Sequence, residues 1–292
     1  MKERRVTQPI RNDFKPTEAE IARLRDRAQF VRLETIRLIE IAKVGHYTSV
    51  FSAAEIFAAL YYDVMALSAD PKWPDRDRFL MGKGHAAVGL FPILAELGYI
   101  PTDILNGYTR LGNPLGDHPD MRKVPGVDFS SGSIGHALSN GLGMALNGRR
   151  QGRAFTTFVM LGDGEMQEGQ VWEAAIGAAH YKLSRLVAIV DRNGYQLDGA
   201  VDDVMGIEPL DEKWRAFGWE VHVVDGHDIA ELTSLLRRVK ADSTREKPCC
   251  IIARTLKGKG VSYMETEPGW HLGYLDPSDA EAARQEILSK VI

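Results

Sequence analysis

The chain has 292 residues, 44% hydrophobic and 26% charged, with a formal net charge of −4. Those proportions are ordinary for a globular protein, and the mild acidity leaves no electrostatic footprint for nucleic acid or an anionic membrane. No apolar run approaches the roughly 18 residues of a membrane span, and MKERRVTQPIRNDFK lacks a signal-peptide core, so a cytoplasmic protein is expected.

Residues 1–16 are polar with two prolines and read as an N-terminal arm, leaving 17–292 as a single domain. Thr17 with Glu20 resembles a capping box, and apolar positions from Ile21 to Ile41 recur at helical spacing until Val44-Gly45-His46. A second helix is predicted from about Ser52 to Val64, then a short strand, Asp77–Met81, ending at Gly82-Lys83-Gly84-His85. Another helix runs to about Leu97. Residues 108–135 are long and irregular, the kind of loop that is usually functional when it sits inside a compact chain. A helix of small residues follows from near Gly135.

The central stretch starts as a buried strand, Thr156–Leu161, and breaks at Gly162-Asp163-Gly164. A helix from about Glu168 and a strand, Leu186–Val190, lead to Asp191-Arg192-Asn193. Further on come a strand at Glu220–Val224, a helix at Ile229–Val239, a strand at Pro248–Thr255 and a short helix from about Ser278. This alternation predicts an α/β fold, a mainly parallel sheet with helices on both faces. Cys249 and Cys250 are adjacent in a strand, point to opposite faces and are expected to be buried free thiols.

Gly-Asp-Gly alone is compatible with a simple turn. GDGEMQEG is not the G-x-G-x-x-G of a dinucleotide fold, and no P-loop pattern occurs. Asp191-Arg192-Asn193-Gly194 lacks the closing glutamate of a calcium loop. What remains is a carboxylate and an amide thirty positions apart, Asp163 and Asn193, each just past an apolar strand. Open parallel sheets bind ligands at such strand ends, and hard oxygens beside a glycine-rich helix start suit a metal-bound diphosphate.

The run GDGEMQEG…EA…DRN resembles the thiamine-diphosphate signature in the form found in transketolases. The resemblance implies that Asp163, Asn193 and the carbonyl of Tyr195 hold Mg2+, for which Ca2+ or Mn2+ may substitute, on the cofactor's diphosphate. It places Gly162, Gly164 and Glu168 beside the cofactor, with Glu168 and Glu173 at a subunit interface. Ser131-Gly132-Ser133-Ile134-Gly135 matches the family's glycine-rich loop, making Gly132 and Ile134 cofactor neighbours. Four histidines, His46, His85, His118 and His271, stand where transketolases carry theirs, whereas His180, His222 and His227 have no such match. By resemblance His46 and His271 serve proton transfers at the reacting oxygens, His85 contacts the cofactor's diphosphate or the substrate, His271 also borders the cofactor, and His118 meets the donor's terminal hydroxyl. Imidazoles titrate near neutrality and suit both transfers that ketol cleavage needs.

The resemblance covers residues from about 20 to 275, which is half of a full-length transketolase. It implies an N-terminal subunit that pairs with a separate C-terminal, pyrimidine-binding subunit in a heterotetramer and acts on sugars or sugar phosphates. Tyr47-Thr48-Ser49-Val50-Phe51 and Gly135-His136-Ala137 depart from the family pattern and suggest a specialised sugar. The alternatives are the alpha chain of a 2-oxoacid dehydrogenase, a deoxyxylulose-phosphate synthase fragment and a non-catalytic cofactor-binding subunit.

Overall fold

The computed structural model describes residues 14–197 and 199–289, so most of the expected N-terminal arm lies outside the described residues. The capping box forms: Thr17 and Glu20 exchange side-chain and backbone hydrogen bonds at the start of α1 (Glu18–Ala42). Left-handed Lys43 ends that helix. The helix expected at about 52–64 forms as α3 (Ala54–Ala59) running into a π turn at Leu60–Val64, and a short α2 (Tyr47–Phe51) that the sequence reading did not place precedes it. At the break between α2 and α3 the Ser52 hydroxyl donates to Asp191 across the core.

The remaining elements follow in order. They are β1 (Arg78–Met81), α4 (Ala87–Glu96), α5 (Ala137–Arg150), β2 (Thr157–Gly162), α6 (Gly169–His180) and β3 (Leu186–Arg192). A two-residue hairpin pairs β4 (Tyr195–Gln196) with β5 (Gly199–Ala200), and α7 (Val201–Met205) and α8 (Leu210–Ala216) complete a segment the sequence pattern did not reveal. The chain closes with β6 (Glu220–Asp225), α9 (Ile229–Ala241), β7 (Cys249–Arg254) and α10 (Pro277–Ser289).

The main sheet has the order β1-β2-β3-β7-β6, and every pairing is parallel. Side chains alternate across it. Phe158, Met160, Val187, Ile189 and Ile251 face a core built with α1, α3, α4 and α9, while Val159, Leu161, Ala188, Val190 and Ile252 face α5, α6 and α8. Both faces are therefore covered, which is why these strands read as continuous apolar runs. Cys249 and Cys250 are free and buried in opposite cores. All strands point the same way, so the carboxyl ends of β1, β2, β3 and β7 open on one edge.

A charged network is buried in the first core. Arg32 makes a bidentate pair with Glu55, at 2.7 and 2.9 Å, and donates to Phe51 O. His227 Nδ1 lies 2.9 Å from the same carboxylate, while its Nε2 accepts the Leu256 N–H at 2.8 Å, so the proton sits on Nδ1. Burial pushes Glu55 up, but Arg32 and His227 more than offset it and hold the carboxyl at about 2. Glu55→Ala would strand a buried guanidinium, and urea unfolding should show a loss of about 3–5 kcal/mol.

Candidate active site

A cavity of about 270 Å³ opens at the shared edge of the strands. Of the predicted residues, His85, Ile134, Gly162, Asp163, Gly164, Glu168, Asn193, Tyr195 and His271 line it. His46 and His118 join through ring contacts: His46 lies 5.1 Å from His85, 5.3 Å from His271 and 6.4 Å from His118, centroid to centroid. His85 and His271 stand 5.2 Å apart. Gly132 is beside them, because a Cβ there would sit 3.8 Å from His118 Cδ2. Thus residues from seven separate segments converge on one place.

Several groups at the site escaped the sequence reading. Lys83 is buried at the end of β1 and pairs with Asp191, itself buried at the end of β3. Asp191 also accepts from Ser52 Oγ at 2.7 Å, from Thr255 Oγ1, and from Asn193 Nδ2 at 3.2 Å. The last contact leaves Asn193 Oδ1 on the far side, where it accepts the Tyr195 N–H at 3.1 Å. Glu165 is buried between two glycine backbones, accepting from Gly135 N at 2.7 Å and Gly162 N at 3.1 Å. Only glycine fits at position 82, because a Cβ would come 2.3 Å from Glu165 Oε2. Burial, first of all, raises Glu165 to about 7 despite those two donors. Its signal was present inside the glycine motif, but a glutamate next to Asp163 gave no hint of which way it would turn.

Lys257 sits at the mouth of the KGKG turn with 1% exposure, its Nζ 2.9 Å from His271 Nδ1. An ammonium can only donate, so His271 Nδ1 accepts and its proton is on Nε2. Burial, with Lys257 and His46 beyond it, holds His271 down at about 3, and burial with Lys83 pushes His85 well below its usual range. Asp163 accepts from Gly164 N at 2.8 Å, Gly194 N at 2.6 Å and Arg192 at 3.2 Å. Burial and the neighbouring Asp191 nonetheless raise it to about 6. A divalent cation would relieve that repulsion, and two buried lysines would offset a diphosphate. His46 Nδ1 is buried without a hydrogen-bond partner among the described residues, 3.5 Å from Asp117 Oδ1. The residues therefore fit a metal-bridged diphosphate with a reacting group among the histidines.

His136 is exposed at the start of α5, where its carbonyl accepts from Asn140, and it does not line the cavity. Of the departing Tyr47–Phe51 segment only Ser49 does. Tyr47 is buried, its hydroxyl accepting the Leu275 N–H at 3.2 Å.

Hard oxygens, buried ammonium groups and a cluster of imidazoles at parallel strand ends define an α/β enzyme domain of the diphosphate-cofactor class. Residues 24–288 match the family described as "Transketolase, thiamine diphosphate binding domain", and the chain belongs to the transketolase family. It is 39% identical over 259 residues to an apulose-4-phosphate transketolase subunit of Phocaeicola vulgatus, covering 87% of this chain and 91% of that one. It is likewise 39% identical to the 6-deoxy-6-sulfo-D-fructose transketolase subunit SqwG of Clostridium sp., covering 90% and 96%. Human transketolase is 36% identical, with 95% of this chain spanning 44% of that one. The crystal structure of transketolase from Campylobacter jejuni superposes with a TM-score of 0.86 at 27% identity, over 91% of this chain and 43% of that chain.

Lys257 links the site to stability. Burial, then Lys83, lowers it from the ordinary 10.5 to about 8. Between those values the unfolded chain binds more protons, so stability rises with pH there, and below about 8 the fold carries the whole penalty of a buried ammonium. Lys257→Met should therefore raise the Tm of the cofactor-free chain at pH 7 and flatten its rise above pH 8. Scanning fluorimetry checks both, and a lower Tm for the variant at pH 7 would refute the assignment.

Proposed function

We propose that this chain is the diphosphate-binding half of a two-subunit transketolase, transferring a two-carbon ketol unit from a ketose or its phosphate to an aldose or its phosphate. The observation that carries the reading is the convergence of His46, His85, His118 and His271 at the cavity lined by Asp163 and Asn193. Asp163, Asn193 and the Tyr195 carbonyl would hold Mg2+, and Lys257 would balance diphosphate charge. Gly132, Ile134, Gly162, Gly164 and Glu168 would border the cofactor. Thiamine diphosphate, when bound, supplies the nucleophilic carbon and the electron sink.

The protein's own groups handle the protons. His271, neutral and with its hydrogen on Nε2, presents an N–H to the substrate oxygen that gains charge. His46, its Nδ1 3.5 Å from Asp117 Oδ1, would take or return a proton at the neighbouring hydroxyl. His118, less buried than the others, is placed for the far end of the donor.

Two relatives of similar length are named as transketolase subunits, which supports a separate C-terminal partner carrying the other half of the site. Glu168, Glu173 and Ile176 are exposed on or beside α6, where such a partner or a second copy would close the cavity in a heterotetramer. Both relatives are named for ketoses bearing an anionic group, and an anionic ketose is the substrate class we expect here.

Calorimetry with thiamine diphosphate and Mg2+ should show binding lost in Asp163→Ala, and unchanged affinity would remove the metal assignment. Ketol transfer should appear only when the chain is mixed with its C-terminal subunit. In that complex His46→Ala or His271→Ala should lower kcat by about a hundredfold or more with cofactor affinity retained. Full turnover by both variants would instead indicate a subunit that only binds.

A further inference from the structure

A second cavity, of about 610 Å³, is not the candidate active site and shares no lining residue with it. It lies at the opposite end of the sheet, where the chain enters β1 and β2, and its walls carry Lys72, Arg76, Arg78, Arg122, Lys123 and Arg153. Three carboxylates neutralise part of this charge. Arg76 is buried and holds Asp128 in a two-point pair, Arg153 meets Asp75 at 3.1 Å, and Arg122 and Lys123 share Asp120. Arg78 and Lys72 have no carboxylate within ion-pair distance among the described residues. Arg78 is fixed instead by a 3.1 Å bond to Pro74 O and by the Phe155 ring, 5.1 Å from its Cζ. That leaves most of its fork of donors unused, with Arg76 and Arg153 as neighbours.

A preset guanidinium in a cationic concavity is what multi-oxygen anions such as phosphate select, and the volume suits a small molecule. We propose that this groove is a second ligand site for a phosphate-bearing small molecule, and that its occupancy biases the loop 117–131 that serves the active site. This goes beyond the transketolase reading and does not depend on it.

The loop supplies the coupling. Its tip, residues 121–128, forms one wall of the groove. Its two ends carry His118 and Gly132 into the histidine cluster. The ends are pinned together where Met121 N donates to Ser130 Oγ at 2.9 Å and Ser130 Oγ donates to Asp120 Oδ1 at 3.3 Å. Asp120 is also the carboxylate that Arg122 and Lys123 hold. An anion drawing Arg122 and Lys123 into the groove therefore competes with Asp120 for them, and the pin at the base of the loop feels the change. Asp128 anchors the other side, accepting Phe79 N at 2.9 Å at the start of β1.

The test is calorimetry of the 292-residue chain with inorganic pyrophosphate and with ADP, without added metal. Saturable binding is expected, unchanged in Lys257→Met, which removes a cation of the other cavity, and about tenfold weaker in Arg78→Gln. The exposed pair Arg122→Glu with Lys123→Glu should weaken it at least as much, and decides the matter should Arg78→Gln fail to fold. Hydrogen exchange in Lys257→Met should show ligand-dependent protection change within 117–131. Absence of saturable binding, or binding lost in Lys257→Met and untouched by the groove variants, would overturn the site. Binding with no change in loop exchange would overturn the coupling.

Discussion

One buried carboxylate organises the working edge of this protein. Asp191, at the end of the central strand, takes the ammonium of Lys83 from β1, the hydroxyl of Ser52 from the break between α2 and α3, and the hydroxyl of Thr255 from beyond β7. It also takes an amide hydrogen of Asn193. A charge buried this completely is tolerated only when its acceptor sites are filled by well-placed donors. Filling them brings the ends of three strands into one arrangement and aims the Asn193 carbonyl oxygen. Burial and the same charge raise Asp163 to about 6.

Around that anchor, polar groups are held by backbone as often as by side chains. Glu165 clasps Gly135 and Gly162, tying the glycine-rich loop to the end of β2. His227, with Arg32 and Glu55 behind it, accepts Leu256 N and so sets the start of the turn that presents Lys257 to His271. The imidazole cluster is thus supported from behind by residues that never reach the cavity, a requirement for groups that must stay within a few tenths of an ångström of their task. The cost is stability, most visibly in a lysine and a histidine kept away from their ordinary titration ranges.

Much of the fold was legible because both faces of the sheet are covered. Fully apolar strands such as Phe158–Leu161 and Leu186–Val190 stand out when polar glycine turns end them. The helix over 52–64 formed, whereas the short α2 before it left no period to read, because all five of its residues are buried. The short β4–β5 hairpin and α7 were invisible for the opposite reason: two- and five-residue elements hold too few positions to show a period.

By itself the sequence determined the strand-end positions of Asp163 and Asn193, which local patterning shows, and it carried the transketolase resemblance that singled out the four histidines. Only the tertiary structure decided which other charged groups stand beside them. Lys83, Lys257 and Glu165 have polar side chains in glycine turns, where local pattern says nothing of direction. They become site residues because burial leaves each with a single set of partners, and those partners come from strands far apart in the chain.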